Sequence, residues 1–266
     1  MNANDAPFGF VPVDGRRSVA KPRRTGLSMV IDDGLPLGYV EDMLRTCAAY
    51  VDLIKIKTGT ARLYPRELLV GKLAAYKAAG VKPFIGGQFH EYVFATMGEA
   101  ALPRFYEEAL ALGFETIEIS DNTVPLTDDQ RHAQITGAVR AGLEVFGEVG
   151  SKETLSNPGL LVDQARICLD AGASLVLVEA AELIADGRLR QDTLSVLREG
   201  LSPDRMMIEL PGPWIEGVRR CDVESMKKAV MTAFGPDVNL ANIDVTSIYD
   251  TEALRIGLGT AGPWRS

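Results

Sequence analysis

A glutamate between apolar or small neighbours recurs at four places in the chain: Ile117-Glu118-Ile119, Gly147-Glu148-Val149, Val178-Glu179-Ala180 and Ile208-Glu209-Leu210. The glutamate numbers differ by 30, 31 and 30, and an interval near 30 fits one strand, one helix and two short loops. In a strand with alternating faces, the glutamate points one way and its two neighbours point the other. Four successive parallel strands would therefore direct four carboxylates to one place. Buried carboxylates need a metal ion, basic side chains or a cationic substrate group, so the pattern indicates an active site.

The same period extends towards the N-terminus, where it reaches Gln88 and then Lys57 at the ends of the third and second predicted strands. Strand-like and helix-like segments alternate from Gly26 onward. A (β/α)8 barrel typically takes about 250 residues, so the 266-residue chain predicts a single TIM-barrel domain over 25–266. An irregular N-terminal arm is predicted over 1–24. In such a barrel the chemistry lies at the carboxyl ends of the strands, where these residues fall. An open, doubly wound sheet is the alternative.

Composition limits the class of protein. Hydrophobic residues make up 46% and charged residues 24%, which is typical of a globular protein with a large core. The net charge of −8 argues against nucleic acid as the main partner. No apolar run approaches the roughly 18 residues of a membrane span, and the N-terminus lacks the apolar core of a secretory signal. Three widely spaced cysteines form no CxxC motif, and the basic run Lys21–Arg24 reads as a solvated tail. We expect a cytoplasmic enzyme.

Cations accompany the carboxylates in the predicted second strand. Lys55 and Lys57 share one face at a spacing of two, while Ile54 and Ile56 face the helices. A lysine beside a ring of carboxylates stays charged and can bind an anion or transfer a proton, although a lysine at the barrel rim is the alternative interpretation. The loops 58–60 and 86–88 contain glycines that let backbone amides approach an anion.

Oxygen ligands of this kind suit Mg²⁺, which keeps several waters and uses only one or two carboxylates. The remaining carboxylates must then pair with lysines or act as general acid or base. The candidate metal ligands are Asp32, Glu118, Glu179 and Glu209. One motif misleads, because the GxGxxG at 257–262 follows a helix and ends the chain, whereas a dinucleotide site needs a strand before it.

Taken together, the strand-end sequences resemble the phosphosulfolactate synthase family over about residues 25 to 258. The similar stretches are Gly26–Asp32, Lys55 with Gly59-Thr60, Gly86-Gly87, Gly113-Phe114 with Ile117–Asp121, Glu148–Gly150, and Val238–Ile243. The resemblance implies a (β/α)8 barrel that adds sulfite to phosphoenolpyruvate with Mg²⁺, an early step towards coenzyme M. It implies a small anionic carboxylate substrate and a homo-oligomer.

The resemblance also implies roles for individual residues. Lys152 matches the second lysine of the family's Glu-Val-Gly-Lys-Lys and is the candidate acid that protonates the enolate carbon. Lys55 and Glu148 complete the candidate catalytic set. The candidate substrate-binding residues are Lys57, Gly59, Thr60, Gly87, Gln88, Ser120 and Asn242.

Departures from the family pattern bear on the substrate. The family's Asp-Lys-Gly reads Asp32-Asp33-Gly34 here, its Glu-Gly-Arg-Glu reads 179–182 without the arginine, and Ser151 replaces a lysine. Losing one partner of a desolvated charge pair costs about 2–5 kcal/mol, and only Lys57 is gained. We therefore expect that the metal and proton-transfer groups are kept while the grip on phosphate and sulfite is remodelled. The alternatives are a lyase acting on a non-phosphorylated 2-oxo or hydroxy acid, and a non-catalytic, stress-related barrel.

Overall fold

The computed structural model describes residues 7–150, 156–185, 188–212, 215 and 217–259. These residues contain ten strands: β1 Ser28–Asp32, β2 Leu53–Ile56, β3 Lys82–Ile85, β4 Thr116–Ile119, β5 Glu144–Val149, β6 Leu175–Glu179, β7 Ile184–Ala185, β8 Arg188–Leu189, β9 Met206–Glu209 and β10 Leu240–Ile243. Eight of them form a closed parallel barrel in the order β1-β10-β9-β6-β5-β4-β3-β2, and β7 and β8 form a separate antiparallel pair. Because β1 pairs with both β2 and β10, the predicted TIM barrel is confirmed and the doubly wound alternative is wrong.

Helices follow the barrel strands: α1 Leu37–Cys47, α2 Arg66–Ala78, α3 Gly87–Met97, α4 Leu102–Leu112, α5 Asp128–Arg140, α6 Pro158–Asp170, α7 Gln191–Gly200, α8 Arg220–Phe234 and α9 Ile248–Arg255. A capping box begins α5, because Thr127 and Gln130 exchange side-chain and backbone hydrogen bonds. Two helices, α3 and α4, follow β3, since Gly98 adopts a φ of 76° and ends the first. None of the helices in the described part of the chain is long and apolar enough to cross a bilayer.

Two layers of apolar side chains hold the barrel together. The larger layer lies between the strands and the helices and includes Ile54, Ile56, Ile117 and Val178. The smaller one fills the barrel interior: Met29, Leu53, Phe84, Phe146, Leu175, Leu177, Met207 and Ala241. The middle of the barrel is therefore a packed core. Cavities lie beyond this core, at the amino ends and at the carboxyl ends of the strands.

The N-terminal segment forms hydrogen bonds with α9 and with the residues just before β1 and β2. The guanidinium of Arg17 donates two hydrogen bonds to the carboxylate of Glu252 in α9, at 2.9 and 3.0 Å, and one to the carbonyl of Gly26. Lys21 donates to the carbonyl of Val51 at 2.6 Å, and Arg23 donates to Asp52. The interpretation of 21–24 as a solvated tail is therefore wrong for Lys21 and Arg23, which fasten the arm next to β2.

Candidate active site

The strand register directs the four repeated glutamates into the barrel. Residues paired across parallel strands lie on the same face, and the pairs are Glu118 with Phe146, Glu148 with Leu177, and Glu179 with Glu209. Phe146 and Leu177 belong to the interior core, so their partners point inward as well. All four glutamates are buried, with exposed fractions of at most 2%. The alternation read from the sequence therefore gave the correct face.

Three of these glutamates converge. Carboxylate oxygens of Glu118, Glu148 and Glu209 lie within 4.8 Å of one another. The Lys55 Nζ lies between two of them, 2.8 Å from Glu118 and 2.9 Å from Glu209. Among the residues that the structure describes, this group of one ammonium and three carboxylates has a formal charge of −2. Such a charge needs a cationic group or a divalent ion.

The carboxylates keep Lys55 charged. Burial alone would lower the pKa of Lys55, but the attraction of Glu118, Glu209 and Glu148 outweighs burial and raises this pKa well above its usual value. Burial raises the pKa of Glu118, while Lys55 lowers it and Glu209 raises it further, and the net direction is upward. Lys55 is therefore an ammonium group at neutral pH, suited to holding anions rather than to accepting a proton.

A glycine forms the wall beside Glu118. The amide of Gly87 donates to the Glu118 Oε1 at 2.9 Å. A Cβ at this position would collide with the hydroxyl of Ser120 and would lie 2.9 Å from the same carboxylate oxygen. The Gly86-Gly87 pair therefore lets the backbone approach the carboxylate closely, as the sequence predicted for an anion, although here the anion is a protein side chain.

The segment between β4 and α5 covers Glu148. Asn122 donates its side-chain amide to the Glu148 Oε1 at 2.7 Å. Arg131 of α5, which is fully buried, donates to the backbone carbonyl of Glu148 at 3.0 Å and to Asp121 at 2.5 Å. Sequence reasoning missed Asn122 and Arg131. The signal for Asn122 was its place just after the strand-end residues Ser120-Asp121.

Asp32 lies elsewhere. It pairs with Ile56, which packs in the outer core, so its side chain points towards the helices. There it lies 2.6 Å from the Lys72 Nζ and accepts hydrogen bonds from the Tyr76 hydroxyl and from the amide of Leu35. The structure therefore separates Asp32 from the three converging glutamates, which corrects the expectation that its carboxylate converges with theirs, while its role as a metal ligand stays a prediction. Its contacts hold the turn after β1.

Glu179 points inward beside Glu209 but lies outside the group of three. Its Oε1 accepts a hydrogen bond from the Ala181 amide at 3.4 Å. Its predicted role as a metal ligand therefore stays a prediction. Lys152 lies outside the described residues, so its predicted role as the acid also stays a prediction.

A cavity of about 630 Å³ opens above the carboxylates. Four of the predicted substrate-binding residues line it, namely Lys57, Gly87, Gln88 and Asn242. Ser120 is buried beneath it and donates to Glu91. Gly59 and Thr60 do not line this cavity, because they form the turn behind Lys57, whose carbonyl accepts a hydrogen bond from the Thr60 hydroxyl at 2.7 Å.

Two cavity residues have left-handed backbone conformations. Asn242 has a φ of 60° and Thr58 has a φ of 49°. Asparagine adopts this region fairly readily, whereas a β-branched residue there is strained. The Thr58 hydroxyl donates to the carbonyl of Lys57 at 2.8 Å and partly compensates for the strain. Thr58 was not among the predicted site residues, because a threonine carries no sequence signal for a positive φ.

Known proteins are similar to this chain over the whole barrel. Residues 16–260 match the family model described as (2R)-phospho-3-sulfolactate synthase (ComA). The phosphosulfolactate synthase of Methanothermobacter thermautotrophicus is 34% identical over 249 residues, covering 90% of this chain and 91% of the relative. The enzyme of the same name from Methanocaldococcus jannaschii is 32% identical over 88% of this chain and 92% of the relative. The Arabidopsis thaliana protein HEAT-STRESS-ASSOCIATED 32 is 24% identical over 88% of this chain and 87% of the relative.

Proposed function

The chain belongs to the phosphosulfolactate synthase family, and from this premise we propose that it forms or cleaves a carbon–sulfur bond on a small enolisable carboxylate, with Mg²⁺. The family description places sulfur on carbon 3 and phosphate on carbon 2 of the product. In the synthetic direction, a sulfur lone pair of sulfite forms the bond to carbon 3 of phosphoenolpyruvate. The double-bond electrons move towards carbon 2 and the carboxylate, and carbon 2 then takes up one proton.

The observation that carries this proposal is the group formed by Glu118, Glu148, Glu209 and Lys55. The atoms of this group that can bind a metal ion are the carboxylate oxygens of its three glutamates. Oxygen ligands fit a hard divalent cation such as Mg²⁺. We propose the three glutamates as the residues that hold the ion, directly or through water. When bound, the ion polarises the substrate carboxylate and stabilises the negative charge that develops there.

The chain's own residues would orient the reactants. Lys55 neutralises part of the charge of Glu118 and Glu209 and keeps both carboxylates turned to the cavity. Lys57 lines the cavity and is our candidate for contact with the substrate carboxylate. We propose that Lys152, two positions after Gly150 at the end of β5, delivers the proton to carbon 2. These residues would hold the sulfur of sulfite next to carbon 3 of the substrate, and such positioning can supply a large part of an enzyme's rate enhancement.

A substrate without phosphate is the second candidate. A cavity of about 390 Å³ adjoins the first one and shares Ile31, Lys57 and Asn242 with it. Asp33 lines this adjoining cavity, and its negative charge disfavours a phosphate dianion. The charged side chains around this cavity are three bases and three acids: Lys57, Arg219, Arg220, Asp33, Glu224 and Asp244. Because these charges balance, the cavity offers no net positive charge to a phosphate dianion, which supports a substrate whose phosphate is not essential.

The test is incubation of the purified protein with phosphoenolpyruvate and sulfite, with and without Mg²⁺, followed by ³¹P NMR. A new phosphorus signal that requires sulfite and Mg²⁺ supports the family reaction. Parallel reactions replace phosphoenolpyruvate with pyruvate, whose enol can add sulfite across its double bond to give 3-sulfolactate, and detect this product by mass spectrometry. If neither series turns over and calorimetry detects no binding of phosphoenolpyruvate or sulfite, the proposed function is wrong.

A non-catalytic barrel is the rival, because one relative carries the name heat-stress-associated. Glu148→Gln separates the two: an enzyme should lose activity, whereas a scaffold should tolerate the change and gain stability from reduced repulsion. The homo-oligomeric state and the cytoplasmic location stay predictions, for which light scattering and cell fractionation are the tests.

A further inference from the structure

Glu91 of α3 is a buried carboxylate with five hydrogen-bond donors around it. Its Oε1 accepts from the Ser120 hydroxyl and from the Asn122 amide at 3.3 Å. Its Oε2 accepts from the amide and hydroxyl of Thr123 at 2.7 and 2.6 Å and from the Val124 amide at 2.9 Å. Burial raises the pKa of Glu91, but the hydrogen bonds from Ser120 and Thr123 outweigh it, and the pKa lies below its usual value. Glu91 is therefore an ionised acceptor at neutral pH.

All five donors belong to one segment, 120–124, which follows β4 and precedes α5. No strand or helix contains this segment, so its backbone amides depend on the Glu91 carboxylate for hydrogen bonds. Arg131 holds Asp121 at 2.5 Å, just before Asn122. The backbone of Asn122 is therefore fixed from both sides, by Arg131 through Asp121 and by Glu91 through Thr123.

This double anchoring determines where the Asn122 side chain points. Its amide reaches the Glu148 Oε1 at 2.7 Å, and Asn122 and Glu148 both line the cavity. We propose that Glu91 is a positioning residue of the carboxylate site, acting through Asn122 on the orientation of Glu148. The proposal rests on the proposed function only in taking this site to bind a divalent cation.

Glu91→Gln changes the contacts selectively. The amide oxygen can keep the three donors from Thr123 and Val124 on one side. The NH₂ group then faces the other side, where the Ser120 hydroxyl can accept a hydrogen bond from it. The backbone N–H of Asn122 is also a donor, so the NH₂ group repels it. The variant keeps the volume of the side chain and loosens mainly Asn122. Glu144→Gln is the matched control, because Glu144 also accepts several hydrogen bonds, from Lys82, Thr116 and Ser174, but begins β5 at the opposite end from Glu148.

The experiment measures Mn²⁺ affinity from the EPR signal of the free ion, for wild type, Glu91→Gln, Asn122→Ala, the double variant and Glu144→Gln. We expect each single site variant to bind Mn²⁺ about 10-fold more weakly, the size typical of groups that orient metal ligands. The double variant should bind no more weakly than Asn122→Ala, since Glu91 acts through Asn122. Glu144→Gln should keep the wild-type affinity. Amide hydrogen exchange in 120–124 should rise in Glu91→Gln and not in Glu144→Gln.

The outcomes separate the two proposals. If wild type does not bind Mn²⁺, the proposed metal-dependent function is wrong, and unchanged hydrogen exchange in Glu91→Gln would then also overturn the anchoring role of Glu91. If wild type binds Mn²⁺ and Glu91→Gln binds equally well, the positioning role alone is wrong. If the losses of Mn²⁺ affinity in the two single variants add up in the double variant, Glu91 does not act through Asn122. A purely structural role of Glu91 would give such additive losses.

Discussion

Replacement of Lys55 by methionine tests the electrostatic balance of the site. The substitution keeps most of the side-chain volume but removes the ammonium group that lies 2.8 Å from Glu118 and 2.9 Å from Glu209. Breaking a buried ion pair by removing one partner costs about 3–5 kcal/mol, because it leaves uncompensated buried charge. We expect Lys55→Met to lower the free energy of unfolding by that amount, measured by urea denaturation at neutral pH.

A divalent cation should restore much of this loss. Without Lys55, the three converging glutamates carry a formal charge of −3 instead of −2, so they should attract Mg²⁺ more strongly. Ligand at 100 times its dissociation constant stabilises a native state by about 2.7 kcal/mol. Mg²⁺ should therefore raise the urea midpoint of Lys55→Met more than that of wild type. The result would link stability directly to the proposed metal site.

Lys82→Met is the matched control for this experiment. Lys82 also forms an ion pair from a barrel strand, with Glu144, but both side chains are substantially exposed. An exposed pair contributes about 0–1 kcal/mol. If Lys55→Met costs no more than Lys82→Met, or if Mg²⁺ stabilises both variants equally, the three carboxylates are not the charged, cation-binding group inferred from their geometry.

Three further changes test other parts of the structure. Burial lowers the pKa of His90 to about 4. Between pH 6.5 and 4 the unfolded chain therefore binds a proton at this histidine, whereas the folded chain does not. The free energy of unfolding should fall by roughly 3 kcal/mol over this range. His90→Gln should remove this part of the acid-side slope in urea unfolding, and an unchanged slope would contradict the burial argument. Gly87→Ala should lower the free energy of unfolding by about 1–3 kcal/mol, because the new Cβ clashes with Ser120. Gly71→Ala in α2, where a Cβ meets only ordinary contacts, is the control and should raise that free energy by about 0.5–1 kcal/mol, both measured by thermal unfolding. Thr58→Gly should relieve strain of about 1–2 kcal/mol and so match or exceed wild-type stability despite the entropy of glycine; a clear loss in calorimetry would show that Thr58 is not strained.

The sequence predicted those parts of the site that depend on alternation within strands. The glutamates at 118, 148 and 209 and the lysine at 55 occupy the face that the pattern indicated, because each has apolar neighbours that belong in the outer core. The direction of the Asp32 side chain could not be predicted in this way. The residues before it are apolar on both faces, as in most parallel strands, so its direction could not be read from periodicity.

Other features lay beyond sequence reasoning because they depend on contacts between distant segments. Glu91 lies on a helix, and its partners follow about 30 positions later, so no local pattern joins them. The binding of Arg17 to Glu252 spans 235 positions, and a basic arm with no strand or helix pattern gave no reason to expect it. Helix boundaries also depend on glycines such as Gly98, whose positive φ separates α3 from α4.

The paired hydrogen bonds from the Arg17 guanidinium to Glu252 have a consequence for folding during synthesis. Glu252 in α9 and the strand that closes the barrel, β10, both follow the other seven barrel strands in the sequence. A nascent chain that stops after β9 therefore exposes two unpaired strand edges and an arm without its anchor. Such edges can pair with other chains. We expect the barrel to close only after β10 has been synthesised, and the arm to bind only after α9 has left the ribosome.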